Sequence, residues 1–160
     1  MSSSTSLSDN SAVHRGVRPA LMLPDDWEPP ATLEHERFRL RMLSVADVDA
    51  DLEAILDRVT PDGKHDPPDG ITRERNLADL GWHETEFRIR SSFAYTVLAP
   101  DESRVLGCVY VYPDERADAQ VRLWVRRDAW EEGLDPLLEQ AVRDWLAREW
   151  PFASVHWPGR

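Results

Sequence analysis

The chain has 160 residues, about one domain's worth, and 41% hydrophobic content with seven tryptophans is enough for a sizeable core. Its formal net charge of −11 repels nucleic-acid phosphates and anionic lipid, which argues against nucleic-acid and membrane partners and favours cationic small molecules or basic peptides. A single cysteine, Cys108, cannot form an internal disulfide, which fits a reducing, cytoplasmic setting.

Residues 1–37 mix Ser, Asp, Glu and Pro with little periodicity and read as a flexible N-terminal arm that Trp27 can anchor locally. The longest apolar run there, Ala20 to Leu23, is too short for a signal h-region or a membrane span. Residues 38–160 read as one globular domain, with no internal repeat or second composition regime. Phe38, Leu40 and Met42 alternate with Arg39 and Arg41, which predicts a strand with one buried face. Ser44 to Asp47 resembles a capping box, and Val45, Val48, Leu52, Ile55 and Val59 follow at helical spacing, so the helix is expected to reach Val59.

Pro61, Gly63, Pro67, Pro68 and Gly70 make Thr60 to Gly70 a loop. Thr72 to about Ser91 returns to a helical pattern, with Leu77, Leu80, His83 and Phe87 on one side. Phe93–Leu98 and Val105–Tyr112 read as a hairpin about the turn Ala99 to Ser103, and Val121, Leu123 and Val125 add a third meander strand. Leu134, Leu137, Leu138, Ala141, Val142, Trp145 and Leu146 keep helical spacing without a gap until Pro151. Ala153 to Trp157 can form a last strand, and a strand, helix, strand unit crosses over into a parallel pair. The fold class is therefore α/β (α+β): a mixed sheet with an antiparallel meander, a helical crossover and a final parallel strand.

This element order, from about Arg37 to Trp157, resembles the GNAT N-acetyltransferase superfamily, and Ser92 to Leu98 and Leu106 to Val111 look like its second and third strands. The resemblance implies a helix with Trp82, His83 and Glu84 beside the acceptor site. It also implies strands that splay apart near Arg122 and Val155 to admit the pantetheine of acetyl-CoA, with the backbone of Leu123, Trp124 and Val125 facing that co-substrate. The family's phosphate loop, Arg/Gln-Gly-x-Gly before the third helix, corresponds here to Trp130-Glu131-Glu132-Gly133. Only Gly133 matches, and Asp135 before Pro136 looks like an N-cap competing for the same donors. The chain stops at Arg160, before the family's fourth helix and the region of its usual tyrosine acid, which implies a reduced or partnered domain.

His83 is a candidate general acid or base because its pKa lies near neutrality; the alternative is a buried histidine satisfied by one hydrogen bond. Glu84 and Glu86 could bind an amine or be solvated helix charges. Arg122 and Arg126 could hold an acidic acceptor or a phosphate, or form surface salt bridges. Tyr110 and Tyr112 share a face with Cys108, which has no activating motif and reads as a structural thiol. His65, Asp66 and Asp69 lack a recognised ligand spacing, so no metal site is expected. His156 and Trp157 fall near the cleft mouth and either contact a ligand or close the core. These readings, with what the resemblance implies, point to an acyl-CoA-dependent N-acyltransferase acting on a small amine or basic peptide, with His83 and Glu84 as catalytic candidates. The alternatives are a non-catalytic GNAT-like ligand-binding or protein-interaction domain, or a module whose open sheet edge is covered by a second copy in a homodimer.

Overall fold

The aromatic and β-branched run Phe93–Leu98 lies inside a mixed sheet in the computed structural model, which describes residues 19–160. Among the described residues the sheet has seven strands: β1 (Thr32–Glu34), β2 (Arg39–Met42), β3 (Arg58–Val59), β4 (Phe93–Leu98), β5 (Val105–Tyr112), β6 (Ala119–Arg126) and β7 (Val155–His156). Their order is β1-β2-β4-β5-β6-β3, with β7 beside β6. The β6–β7 pair is parallel and all others are antiparallel. Among the described residues four α-helices complete the fold: α1 (Val48–Ile55), α2 (Arg73–Arg88), α3 (Arg127–Glu131) and α4 (Leu134–Glu149). The first 18 residues of the expected arm lie outside the described residues.

The period of two along the strands sorts side chains onto two faces. On one face Phe93, Tyr95, Val97, Val109 and Leu123 meet Leu138, Val142 and Trp145 of α4, and all eight are buried as their spacing predicts. On the other face Ala94, Cys108, Tyr110, Tyr112 and Trp124 lie beneath α1 and α2, packed with Val48, Ile55 and Leu80. Gly107 allows β5 and β6 to approach closely, since a Cβ there would collide with the Trp124 carbonyl oxygen.

Several local expectations are corrected. The first helix ends at Ile55, and Val59 instead pairs with Val125 in the β3–β6 ladder. Pro61 biases Thr60 away from helix, and the Asp57 carbonyl accepts from the Arg127 N–H at 3.0 Å, so the chain turns into the sheet although Val59 keeps helical spacing. Ser44 caps only a 3-10 turn, while Asp47 binds the Arg41 guanidinium at 2.8 and 3.0 Å. On α2, Leu77 is exposed and Asn76 is buried, because Asn76 donates to the Asp51 carboxylate at 2.8 Å and turns that edge of the helix inward. The final strand shortens to two residues.

Residues 19–37 are docked on the domain. Trp27 packs on Trp150 and Phe93, donates its indole N–H to the Glu149 carbonyl at 3.1 Å, and is followed by β1 on the sheet edge. Among the described residues no helix is long and apolar enough to cross a membrane.

Candidate active site

The outer edge of β6 is covered at its two ends. Strand β7 pairs with Ala119 and Gln120, and β3 pairs with Val125 and Arg126. Between them, residues Val121 to Trp124 have no strand neighbour on that side among the described residues. A cavity of about 250 Å³ opens at this gap, with walls that include Arg58, Asp66, Tyr110, Tyr112, Arg122 and Trp124. The Leu123 carbonyl faces the gap, where Arg160 Nη2 lies 3.5 Å away. In a strand the N–H of a residue projects to the same edge as its carbonyl, so the Leu123 peptide presents both groups to the opening.

The aromatic wall is ordered from below. Trp124 Nε1 donates to the Tyr110 hydroxyl at 3.0 Å, and the Tyr110 and Tyr112 rings stack at 5.6 Å. Burial pushes both phenols well above the usual range, so they are neutral. His83 is buried behind this wall, its ring 5.1 Å from that of Tyr110. Glu84 accepts from the Val45 N–H at 3.1 Å and pairs with Arg88, tying α2 to the turn before α1. Neither His83 nor Glu84 lines the cavity. Burial also raises the Cys108 thiol pKa, which leaves it protonated and unreactive.

The cationic groups divide into two sets. Arg126 is consumed by Glu53, Asp128 and the Val105 carbonyl. Arg58 and Arg122 are the second set and are among the residues lining the cavity. Arg58 is 4% exposed, and its Nε donates to the Asp66 carbonyl at 2.8 Å. Its Nη2 has no hydrogen-bond acceptor among the described residues; the Asp66 carboxylate is 4.0 Å away. Burial pulls the Arg58 pKa below the usual guanidinium range. Arg122 is half-buried and donates from Nε to Gln120 Oε1 at 3.0 Å.

The segment Trp130 to Gly133 comprises the end of a short helix and the turn that leads into α4. Residues Arg127–Glu131 form α3, the Glu132 N–H bonds to the Asp128 and Ala129 carbonyls, and the Gly133 N–H bonds to the Trp130 carbonyl at 3.0 Å. Gly133, at φ 82°, is the N-cap of α4. Asp135 therefore sits in the first turn rather than at the cap, and its buried carboxylate binds Arg160 through both oxygens at 2.7 and 2.9 Å. Arg160 also binds Glu139 at 2.9 Å. Trp130 reaches the other way, donating to the Pro61 carbonyl at 2.9 Å and packing over Gly63, where a Cβ would collide with its ring. Helix α3 thus holds the loop that walls the cavity.

Of the expected co-substrate contacts, Leu123 and Trp124 line the cavity, Val125 is paired in the β3–β6 ladder, and Gly133 breaks the α3–α4 helix. His156 pairs with Asp114 at 3.1 Å, and Trp157 lies under the Arg143 guanidinium at 4.2 Å. Sequence reasoning missed Arg58 and Arg160. The one local signal for Arg58 is the β-branched pair Val59-Thr60 ahead of Pro61, which suits an extended segment better than a helix end.

No protein-family model and no curated protein matches the sequence. Solved structures do match. A protein described as a GnaT-family acetyltransferase from Bordetella pertussis superposes with a TM-score of 0.59 and 17% identity over 74% of each chain. One described as a ribosomal-protein-serine acetyltransferase from Vibrio cholerae gives 0.61 and 14% over 79% of this chain and 70% of the other. The RimL ribosomal L7/L12 α-N-protein acetyltransferase in complex with coenzyme A gives 0.54 and 14% over 74% and 67%. At these identities the likeness is one of fold, and the chain has the GNAT acetyltransferase fold, with its mixed sheet and parallel β6–β7 pair.

Proposed function

We propose that this protein is an acyl-CoA-dependent N-acyltransferase that acts on a small amine. The observation that carries this reading is the uncovered stretch of β6 between β7 and β3, where the Leu123 peptide faces a cavity. Acetyl-CoA would supply an activated acyl thioester at that gap. The Leu123 N–H then stands where a fixed donor is worth most, toward the carbonyl oxygen as charge develops on it. The aromatic wall excludes water, and the cavity holds the amine close to the reacting carbon. His83 acts here as a positioning residue, fixing Tyr110 from behind, and Glu84 holds α2 in place. The unpaired Cys108 suits a cytoplasmic setting.

The residues present fit the two ends of the donor unequally. The strand gap suits a narrow pantetheine arm running beside the Arg160 guanidinium, which lies 3.5 Å from the Leu123 carbonyl. The pyrophosphate end meets exposed Glu131 and Glu132, and the nearby Glu132 and Gly133 N–H groups are already bonded within α3. Like charges about 4 Å apart repel by about 1 kcal/mol even at water's dielectric, so binding of acetyl-CoA is expected to be weak. These spent donors favour a second reading, a non-catalytic GNAT-like ligand-binding domain.

Titration calorimetry with acetyl-CoA separates the two. Weak wild-type binding that tightens several-fold and loses salt dependence in Glu131→Gln/Glu132→Gln, with thiol release when an acceptor amine is added, is the expected result. No binding by either protein selects the non-catalytic reading. Tight wild-type binding that weakens on neutralisation overturns the electrostatic argument.

A further inference from the structure

We infer that the amine bound in this cavity also carries a carboxylate, an amino acid being the simplest case, and that Arg58 and Arg122 hold that carboxylate. The inference deepens the transferase reading and rests on it for the word acceptor. In a chain of formal net charge −11, the residues lining the cavity are three arginines against one aspartate. Arg160 is neutralised from outside the cavity by Asp135 and Glu139. Arg122 has no carboxylate within 4.0 Å among the described residues, and Arg58 has only Asp66 at that limit.

Arg58 is the stronger element of the pair. A guanidinium that is almost wholly buried, with one nitrogen lacking an acceptor and its protonated form disfavoured by burial, is a cation short of a counter-charge. Its planar fork suits a carboxylate. The place of this anion differs from that of a coenzyme pyrophosphate. Tyr110, Tyr112 and Trp124 belong to the face beneath α1 and α2, whereas Gly133 opens α4 on the opposite face. Asp66 supplies the single acidic side chain among the lining residues, suited to an ammonium, and the tyrosines and Trp124 supply an apolar surface for a side chain. A long basic peptide finds no such match on this cationic wall.

The test uses the standard amino acids, each beside its C-terminal amide, and inorganic phosphate, titrated by calorimetry into the full chain without an acyl donor. At least one amino acid should bind tenfold or more tighter than its amide. Arg58→Gln should erase most of that preference and Arg122→Gln should reduce it several-fold. Because Arg122 is half-buried, its variant keeps the test open if the Arg58 variant does not fold. The inference is overturned if every amide binds as well as its acid, if the preference survives the substitutions, or if phosphate binds as tightly as the best amino acid. Failure of acetyl-CoA to bind would sink the transferase reading while leaving this preference measurable.

Discussion

Removing the Arg160 guanidinium should be among the costlier single changes in this domain. Its side chain is 6% exposed and that of Asp135 is 7% exposed, with bonds of 2.7 and 2.9 Å between them and a further 2.9 Å bond to Glu139. Arg160→Ala leaves the Asp135 carboxylate buried without its partner, a situation that costs about 3 to 5 kcal/mol. For a domain of this size that corresponds to a fall in Tm of roughly 6 to 20 °C. Urea denaturation of wild type, Arg160→Ala, Asp135→Asn and the double variant completes a cycle. Neutralising Asp135 in the Arg160→Ala background should recover much of the loss, with a coupling energy of about 1 to 3 kcal/mol. The acid limb should change as well. Burial pushes the Glu139 pKa up, but hydrogen bonds from Arg160 and Arg143 outweigh it and set the folded value below the ordinary 4.5. The resulting stabilisation is present above that value and disappears as pH falls through the folded pKa, so Arg160→Ala should flatten this acid dependence. A loss under about 1 kcal/mol, or an additive cycle, would refute the assignment of Arg160 as a buried latch on α4.

Two further expectations concern the two faces of the sheet. Trp145→Ala removes a fully buried ring that meets Tyr95 at 5.0 Å and Trp150 at 5.3 Å, and should cost about 3 to 5 kcal/mol by chemical denaturation. On the other face, burial raises the Asp51 pKa from 3.8 to about 6, against the opposing hydrogen bond from Asn76. Between those values the folded state holds the extra proton, so this carboxyl lowers stability as pH rises toward 6. Asp51→Asn should leave stability unchanged below pH 3.8 and raise it by up to about 3 kcal/mol above pH 6, followed as Tm against pH.

What the sequence determined by itself was the order of the principal strands and helices from Phe38 onward and the apolar faces of the meander and the last helix, while β1, β3 and α3 were not legible in it. Aromatic and β-branched enrichment in Phe93–Leu98 and Val105–Tyr112, alternation in Val121 to Val125, and the unbroken helical spacing from Leu134 to Leu146 are local properties set within a few residues, and the meander and the apolar face of the helix follow from them. Tertiary structure decided where competing local signals were close in strength. Val59 fits a helix by spacing, yet the ladder with Val125 turns it into a strand, and Asp135 before Pro136 looks like a cap until Arg160, 25 residues later, claims its carboxylate. The cavity depended even more on distant partners. Arg58 becomes a buried cation only because β3 joins the edge of β6, and Leu123 faces a gap only because β3 and β7 cover opposite ends of one strand. Burial and pairing of this kind are set by residues far apart in the chain, whereas periodicity is set by neighbours, and that difference separates the fold that could be read from the site that had to be seen.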